Sequence, residues 1–190
     1  NPGTYSILVS TVQGTVSSPA PAATLPTNWV TTGENLGTAT GNDGTVNGTL
    51  APVVVSTSNV TDANFGIEQL PTPSNLTAAS QANPGGTVSA PVPATTFGAT
   101  DPDGGTVTDI KITGLPTNAT SITINGILYT SGFPITVPTN ASGQPTQPIL
   151  VDPINGAVVV GISYSAVDNA GKESPATGLA NVPFGTVGIS

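Results

Sequence analysis

The sequence contains no cysteine, no methionine, no histidine and no arginine, and its only basic side chains are Lys111 and Lys172. Each absence excludes something. Without cysteine, no disulfide staples the fold and no thiolate binds metal. The lack of both sulfur residues suits a long-lived extracellular protein, because neither side chain is there to oxidise. Without histidine, no side chain titrates near neutrality unless its surroundings shift it, and a serine triad has no base. A Ser–Lys pair remains conceivable with Lys111 or Lys172, but both lysines read more simply as solvated surface charges. The chain is therefore expected not to be an enzyme. Two lysines cannot displace the counterions of a phosphate backbone, so nucleic acid and anionic membrane surfaces are poor partners. Charged residues make up 6% of the chain and the net charge is −8. Solubility must come from Ser, Thr, Asn and backbone groups. No apolar run approaches the ~18 residues of a membrane span, so no membrane insertion is expected. The opening Asn1-Pro2-Gly3 is not that of a signal peptide, and a mature product or an excerpt of a longer chain is expected.

What the chain does have is glycine (23), proline (19) and many short alternating runs of Val and Ile among 190 residues. Proline and glycine interrupt nearly every window long enough for a helix. The alternation has the period of a half-buried strand. Strands are predicted over residues 4–12, 52–57, 64–68, 106–113, 121–128 and 157–167. In the last, Val158, Val160, Ile162, Tyr164 and Ala166 share one face. Asn125-Gly126 between Ile124 and Ile127 is a two-residue hairpin signal. Asn155-Gly156 is read as a second hairpin. Asp101-Pro102-Asp103-Gly104-Gly105 is a tight loop. Many short strands with regular turns predict an all-β fold of tandem β-sandwich domains. The Pro-rich stretch at 71–74 is read as a stiff linker. Residues 75–190 suffice for one sandwich, whereas 1–70 look like the C-terminal part of a domain whose first strands are missing or come from a neighbouring chain.

Two stretches resemble known families. Asn1-Pro2-Gly3-Thr4-Tyr5-Ser6-Ile7, with residues 33–48, Val53–Val55 and 60–67, resembles the second half of an SdrD B-like (CnaB-type) surface domain. Asn64 stands where that family usually has Asp. Ala99-Thr100-Asp101-Pro102-Asp103-Gly104-Gly105, Ile112-Thr113-Gly114-Leu115-Pro116, Asn125-Gly126 and Val167-Asp168-Asn169-Ala170-Gly171 resemble an immunoglobulin-like repeat of SprB-like giant surface adhesins of gliding Bacteroidetes. The resemblance implies secretion to the cell surface, tandem repeats, and a role in adhesion, gliding motility or surface assembly. Expected partners are neighbouring repeats or copies of the chain, and surface glycans. The CnaB resemblance also implies a Lys–Asn isopeptide crosslink in some members. Residues 1–70 contain no lysine, so none can form there.

The acidic residues carry the most chemistry. Asp101 and Asp103 sit two apart in a Gly-ended loop, and Asp168 and Asn169 lie in a second loop at the end of a long strand. Together they offer part of an oxygen shell for calcium. The competing reading is that Asp and Asn form turns by bonding their own backbone. Glu34, Asn42, Asp43 and Asp62 are a second oxygen-rich set, and the SdrD resemblance implies calcium there too. Sequons at Asn47, Asn59, Asn75, Asn118 and Asn140 are expected by chance in a chain this rich in Asn and Thr. Trp29 is read as a plug for a small satellite core. Tyr5 and Tyr164 are read as core or edge packing. The leading functional expectation is a structural repeat module of a surface adhesin or filament, with strands passing between subunits. The alternative is a carbohydrate-binding module, which requires an exposed aromatic platform including Trp29 or Tyr129.

Overall fold

In a computed structural model, residues 1–37, 39–40 and 44–186 are described, with backbone only for Ala39 and Thr40. The protein is all-β, as the alternation predicts, with one short 3₁₀ turn over Ala94–Thr96. It divides into two compact units, Asn1–Gln69 and Leu70–Ser190.

The first unit holds β1 (Gly3–Leu8), β2 (Trp29–Leu36), β3 (Ala39–Thr40), β4 (Thr49–Val55) and β5 (Ala63–Gln69). They form two small sheets: β1 pairs antiparallel with β4, and β2 lies between β3 and β5. Only Leu50 and Val53 among its large apolar side chains are fully buried. The face expected to bury Tyr5 and Ile7 does not: Tyr5 is 45% and Ile7 38% exposed. The alternation is right for a strand, but cover on that face reaches their cross-strand partners Val53 and Leu50 on β4 and leaves the β1 side chains partly open. Residues 9–28 make a long excursion stitched by Thr11 N–H to the Thr24 carbonyl and Thr24 N–H to the Val9 carbonyl.

The second unit holds β6 (Thr72–Pro73), β7 (Asn75–Thr77), β8 (Gln81–Ala82), β9 (Ala90–Val92), β10 (Ala99–Thr100), β11 (Val107–Ile112), β12 (Ala119–Ile124), β13 (Ile127–Tyr129), β14 (Ile135–Pro138), β15 (Ile149–Pro153), β16 (Val158–Asp168) and β17 (Gly178–Gly185). One sheet runs β14-β11-β16-β17-β7, with β8 also on β17, and the other runs β13-β12-β15-β9. Their inner faces share one core. Ile110, Ile112, Val160, Ile162, Tyr164 and Val182 come from the first sheet, and Ile122, Ile124, Ile149 and Val151 from the second. This is sandwich-type packing of two sheets through alternate side chains. The predicted inward face of β16 is the buried one, while Val159 on its other face is exposed.

Two turn readings had different outcomes. Asn125 and Gly126 both have positive φ (48° and 80°) and close the β12–β13 hairpin, with Ile124 opposite Ile127. This is the left-handed geometry that favours Asn-Gly in two-residue hairpins. Asn155-Gly156 closes no hairpin. It joins β15 and β16, which belong to different sheets. The Pro-rich stretch read as a linker contributes to the second unit: Thr72–Pro73 pairs with Ala99–Thr100. Proline holds the chain extended and is tolerated on short edge strands, so linker and edge strand look alike in sequence.

Candidate functional site

The site expected from sequence lies in two loops of the second unit. The first leaves β10 and enters β11. Its turn is closed by Gly104 N–H to the Asp101 carbonyl at 3.4 Å, with Gly104 at φ 99°. The second starts where β16 ends. Lys172 N–H donates to Asp168 Oδ1 at 2.7 Å, and Asp168 N–H donates to the Lys172 carbonyl. Asn169 joins the two loops. Its Oδ1 accepts Thr106 N–H at 2.7 Å while its own N–H donates to the Thr106 carbonyl at 2.9 Å. Asp101, Asp103, Asp168 and Asn169 are thus brought to one corner. Asn169 acts there first as a brace between loops, because its amide oxygen already takes a backbone donor. Asp109 stands inside β11, opposite Val167 and Pro138.

The corner is electrostatically strained. Asp168 is 1% exposed, and its Oδ2 has no hydrogen-bond partner. Neither carboxylate oxygen of Asp101 finds a well-formed donor. Oxygens of Asp101 and Asp168 lie within 4.8 Å of each other. Burial pushes the Asp101 carboxyl up from 3.8 to about 6, and the adjacent Asp103 and then the Asp168 charge add to it. Gly105 leaves room for this packing. A Cβ there would stand 2.2 Å from Asp101 Oδ2 and 2.6 Å from Asn169 Oδ1.

A pH dependence follows from this shift. A carboxyl whose folded pKa is raised favours the folded state below its unfolded pKa and loses that contribution as pH rises through the folded value. For Asp101 the window runs from 3.8 to about 6. In chelator-treated protein, Asp101→Asn should therefore gain stability relative to the parent as pH rises from 4 to 7. Urea midpoints at the two pH values check this. An offset that does not change with pH would contradict it.

Lys111 is engaged by other contacts. Lys111 Nζ pairs with Glu173 at 2.5 Å, and Ser165 Oγ donates to the other oxygen of the same carboxylate. Lys111 and then Ser165 hold the Glu173 carboxyl below its ordinary value. Lys111 and Ser165 stand opposite each other on β11 and β16. The Glu173 carboxylate lies between them and engages both, so the lysine and the serine meet through it.

In the first unit, one oxygen of Glu34 is committed to the backbone. The residue is buried, and its Oε1 accepts N–H groups of Asn47 (2.8 Å), Gly48 and Thr49 (3.1 Å). This ties β2 to the start of β4. Asn42 and Asp43 lie outside the described residues. Asp62 takes the Thr61 hydroxyl on Oδ2, and its carbonyl accepts Gly37 N–H. Sequence reasoning gave no sign of the Glu34 staple, because a lone Glu between Gly and Asn resembles a surface residue.

The same unit carries an open apolar groove of about 410 Å³ lined by Tyr5, Ile7, Val53, Val55, Val60 and Ala63. Among the described residues, β1 is paired only with β4. Trp29 is half-buried and lines an open cleft of about 250 Å³ with Val9, Leu25 and Val30. Tyr129 is half-buried against the second unit's core. Four sequon asparagines have structural partners: Asn47 Oδ1 accepts Thr49 N–H, Asn75 Oδ1 accepts Leu179 N–H, Asn118 Nδ2 donates to the Val159 carbonyl, and Asn140 Oδ1 accepts Ser142 N–H.

Among the described residues, no helix is long and apolar enough to cross a membrane. The chain matches no protein-family model, no curated protein and no solved structure.

Proposed function

We propose that this chain is a structural repeat module of an extracellular cell-surface adhesin or filament, assembled by exchange of strands between copies. The observation that carries the reading is the incompleteness of the first unit. A two-stranded sheet is marginal alone in water. Here β1 and β4 form such a sheet beside an apolar groove, with Tyr5 and Ile7 partly open to solvent. An incoming strand would supply the missing ladder hydrogen bonds and cover the groove. Composition supports the same reading. A chain without histidine or cysteine and with so few charges offers shape rather than proton transfer. The carbohydrate-binding alternative has less support, since Trp29 and Tyr129 are both half-buried and on different units.

Sedimentation of the full chain over a range of concentrations tests this. The expected result is a species heavier than the monomer that grows with concentration and is lost in Ile7→Lys, which puts a charge into the groove. A monomer at every concentration, or assembly unaffected by Ile7→Lys, would overturn the reading.

A further inference from the structure

We propose that the loops ending β10 and β16 form a binding site for one hard divalent cation, calcium by its chemistry, with the carboxylates of Asp101 and Asp168 as its protein ligands. The argument starts from which oxygens the local turns use. Asp168 Oδ1 is engaged by Lys172 N–H, and Asp103 Oδ1 accepts Gly105 N–H at a long 3.4 Å. Turn formation explains those two oxygens. It leaves the Oδ2 of Asp168 unexplained, and gives Asp101 only a loose contact with the Asp103 backbone N–H. A buried carboxylate oxygen without a donor is costly, and it is more so beside two other carboxylates. A cation removes both penalties together, because it supplies the missing partner and neutralises the repulsion.

Geometry agrees. Calcium holds oxygens at 2.3–2.6 Å, so two ligands of one ion stand at most about 5 Å apart. The Asp101 and Asp168 oxygens lie within 4.8 Å. All donors are oxygen, which selects a hard ion over zinc or copper. They sit on Gly-containing loops rather than in a rigid octahedral cage, which suits calcium better than magnesium. Solvent reaches Asp101 through a cleft of about 390 Å³ bordered by Ser74, Ala99, Gly105 and Ser142. The two ligands come from separate loops, so a bound ion would also clamp the β10–β11 turn to the end of β16. The site lies wholly in the second unit and does not depend on strand exchange in the first.

The test is calorimetric titration of the chelator-treated full chain with calcium chloride, together with thermal melting in calcium and in chelator. The expected result is one calcium per chain and a higher melting temperature in calcium. Affinity should fall in the roughly 0.1–1 mM dissociation range of extracellular modules. Asp101→Asn should abolish the binding heat and the calcium-dependent shift while melting no lower than the parent in chelator, because Asn keeps an acceptor for the Asp103 backbone N–H and removes a charge from beside Asp103 and Asp168. Asp168→Asn, which keeps an acceptor for Lys172 N–H, should weaken binding at least tenfold. No heat and no shift at about 10 mM calcium would overturn the proposal. So would binding that survives in both variants.

Discussion

Replacing Tyr164 by alanine is expected to destabilise the second unit by about 3–5 kcal/mol, the usual range for emptying a buried aromatic site. Tyr164 is fully buried and meets the Phe97 ring edge-on at 5.2 Å. Its hydroxyl stands 2.7 Å from the Ser74 carbonyl and 2.9 Å from the Gly98 carbonyl, and it accepts Gly98 N–H at 3.2 Å. One side chain therefore fills the core and pins the segments that flank β7 and β10. The hydroxyl's share can be separated. Tyr164→Phe keeps the ring but orphans buried backbone groups, which should cost about 1–3 kcal/mol. Since small domains are stable by only about 5–15 kcal/mol, the alanine change should shift the denaturation midpoint far more than any surface change. Equal effects of Phe and Ala would show that the ring packing contributes little. No effect of Phe would remove the hydroxyl clamp from the account.

The second large effect is expected at Glu34. One carboxylate oxygen collects three backbone N–H groups from Asn47, Gly48 and Thr49. Hydrogen bonds to a charged group contribute about 1.5–3 kcal/mol each, and sharing one acceptor makes them less than additive. Glu34→Ala should thus cost the first unit about 2–4 kcal/mol. That is severe for a unit whose fully buried large apolar side chains are Leu50 and Val53. Glu34→Gln keeps an acceptor without the charge and should fall between parent and Ala. Limited proteolysis checks this directly: the alanine variant should be cut faster near residues 44–49, and an unchanged cleavage rate would contradict the staple.

How much of this was legible in the sequence differs by element. The β16 pattern and the Asn125-Gly126 turn could be read because each depends on local chemistry alone: side chains that alternate, and two residues that accept positive φ. β2 was not read as a strand because Gly33, Glu34 and Asn35 sit in its middle. Glu34 is there for a long-range reason, to bond a loop thirteen to fifteen residues away. β17 was hidden in the same way. Gly178 looks like a breaker, yet a Cβ there would stand 2.5 Å from the Ser74 carbonyl and 2.9 Å from the Tyr164 ring. Pro183 also argues against a strand, although it pairs in register with Val159. At the acidic corner, the loop spacing of Asp101, Asp103 and Asp168 pointed to one place because Asp and Gly mark loops. Which oxygens were already taken by backbone N–H groups depended on the fold and could not be read. In the first unit, the alternation of Tyr5 and Ile7 predicted a strand correctly, but a period of two says which residues share a face and not whether anything covers it.

Amide hydrogen exchange of the full chain, compared between dilute monomer and concentrated protein, tests the central claim most directly. If strands pass between copies, the backbone amides along β1 and β4 should change from fast to slow exchange on concentration, while those of β16 stay slow throughout. Amides of β1 and β4 that are already as protected in the dilute monomer as those of β16 would contradict it, because the first unit would then need no strand from outside.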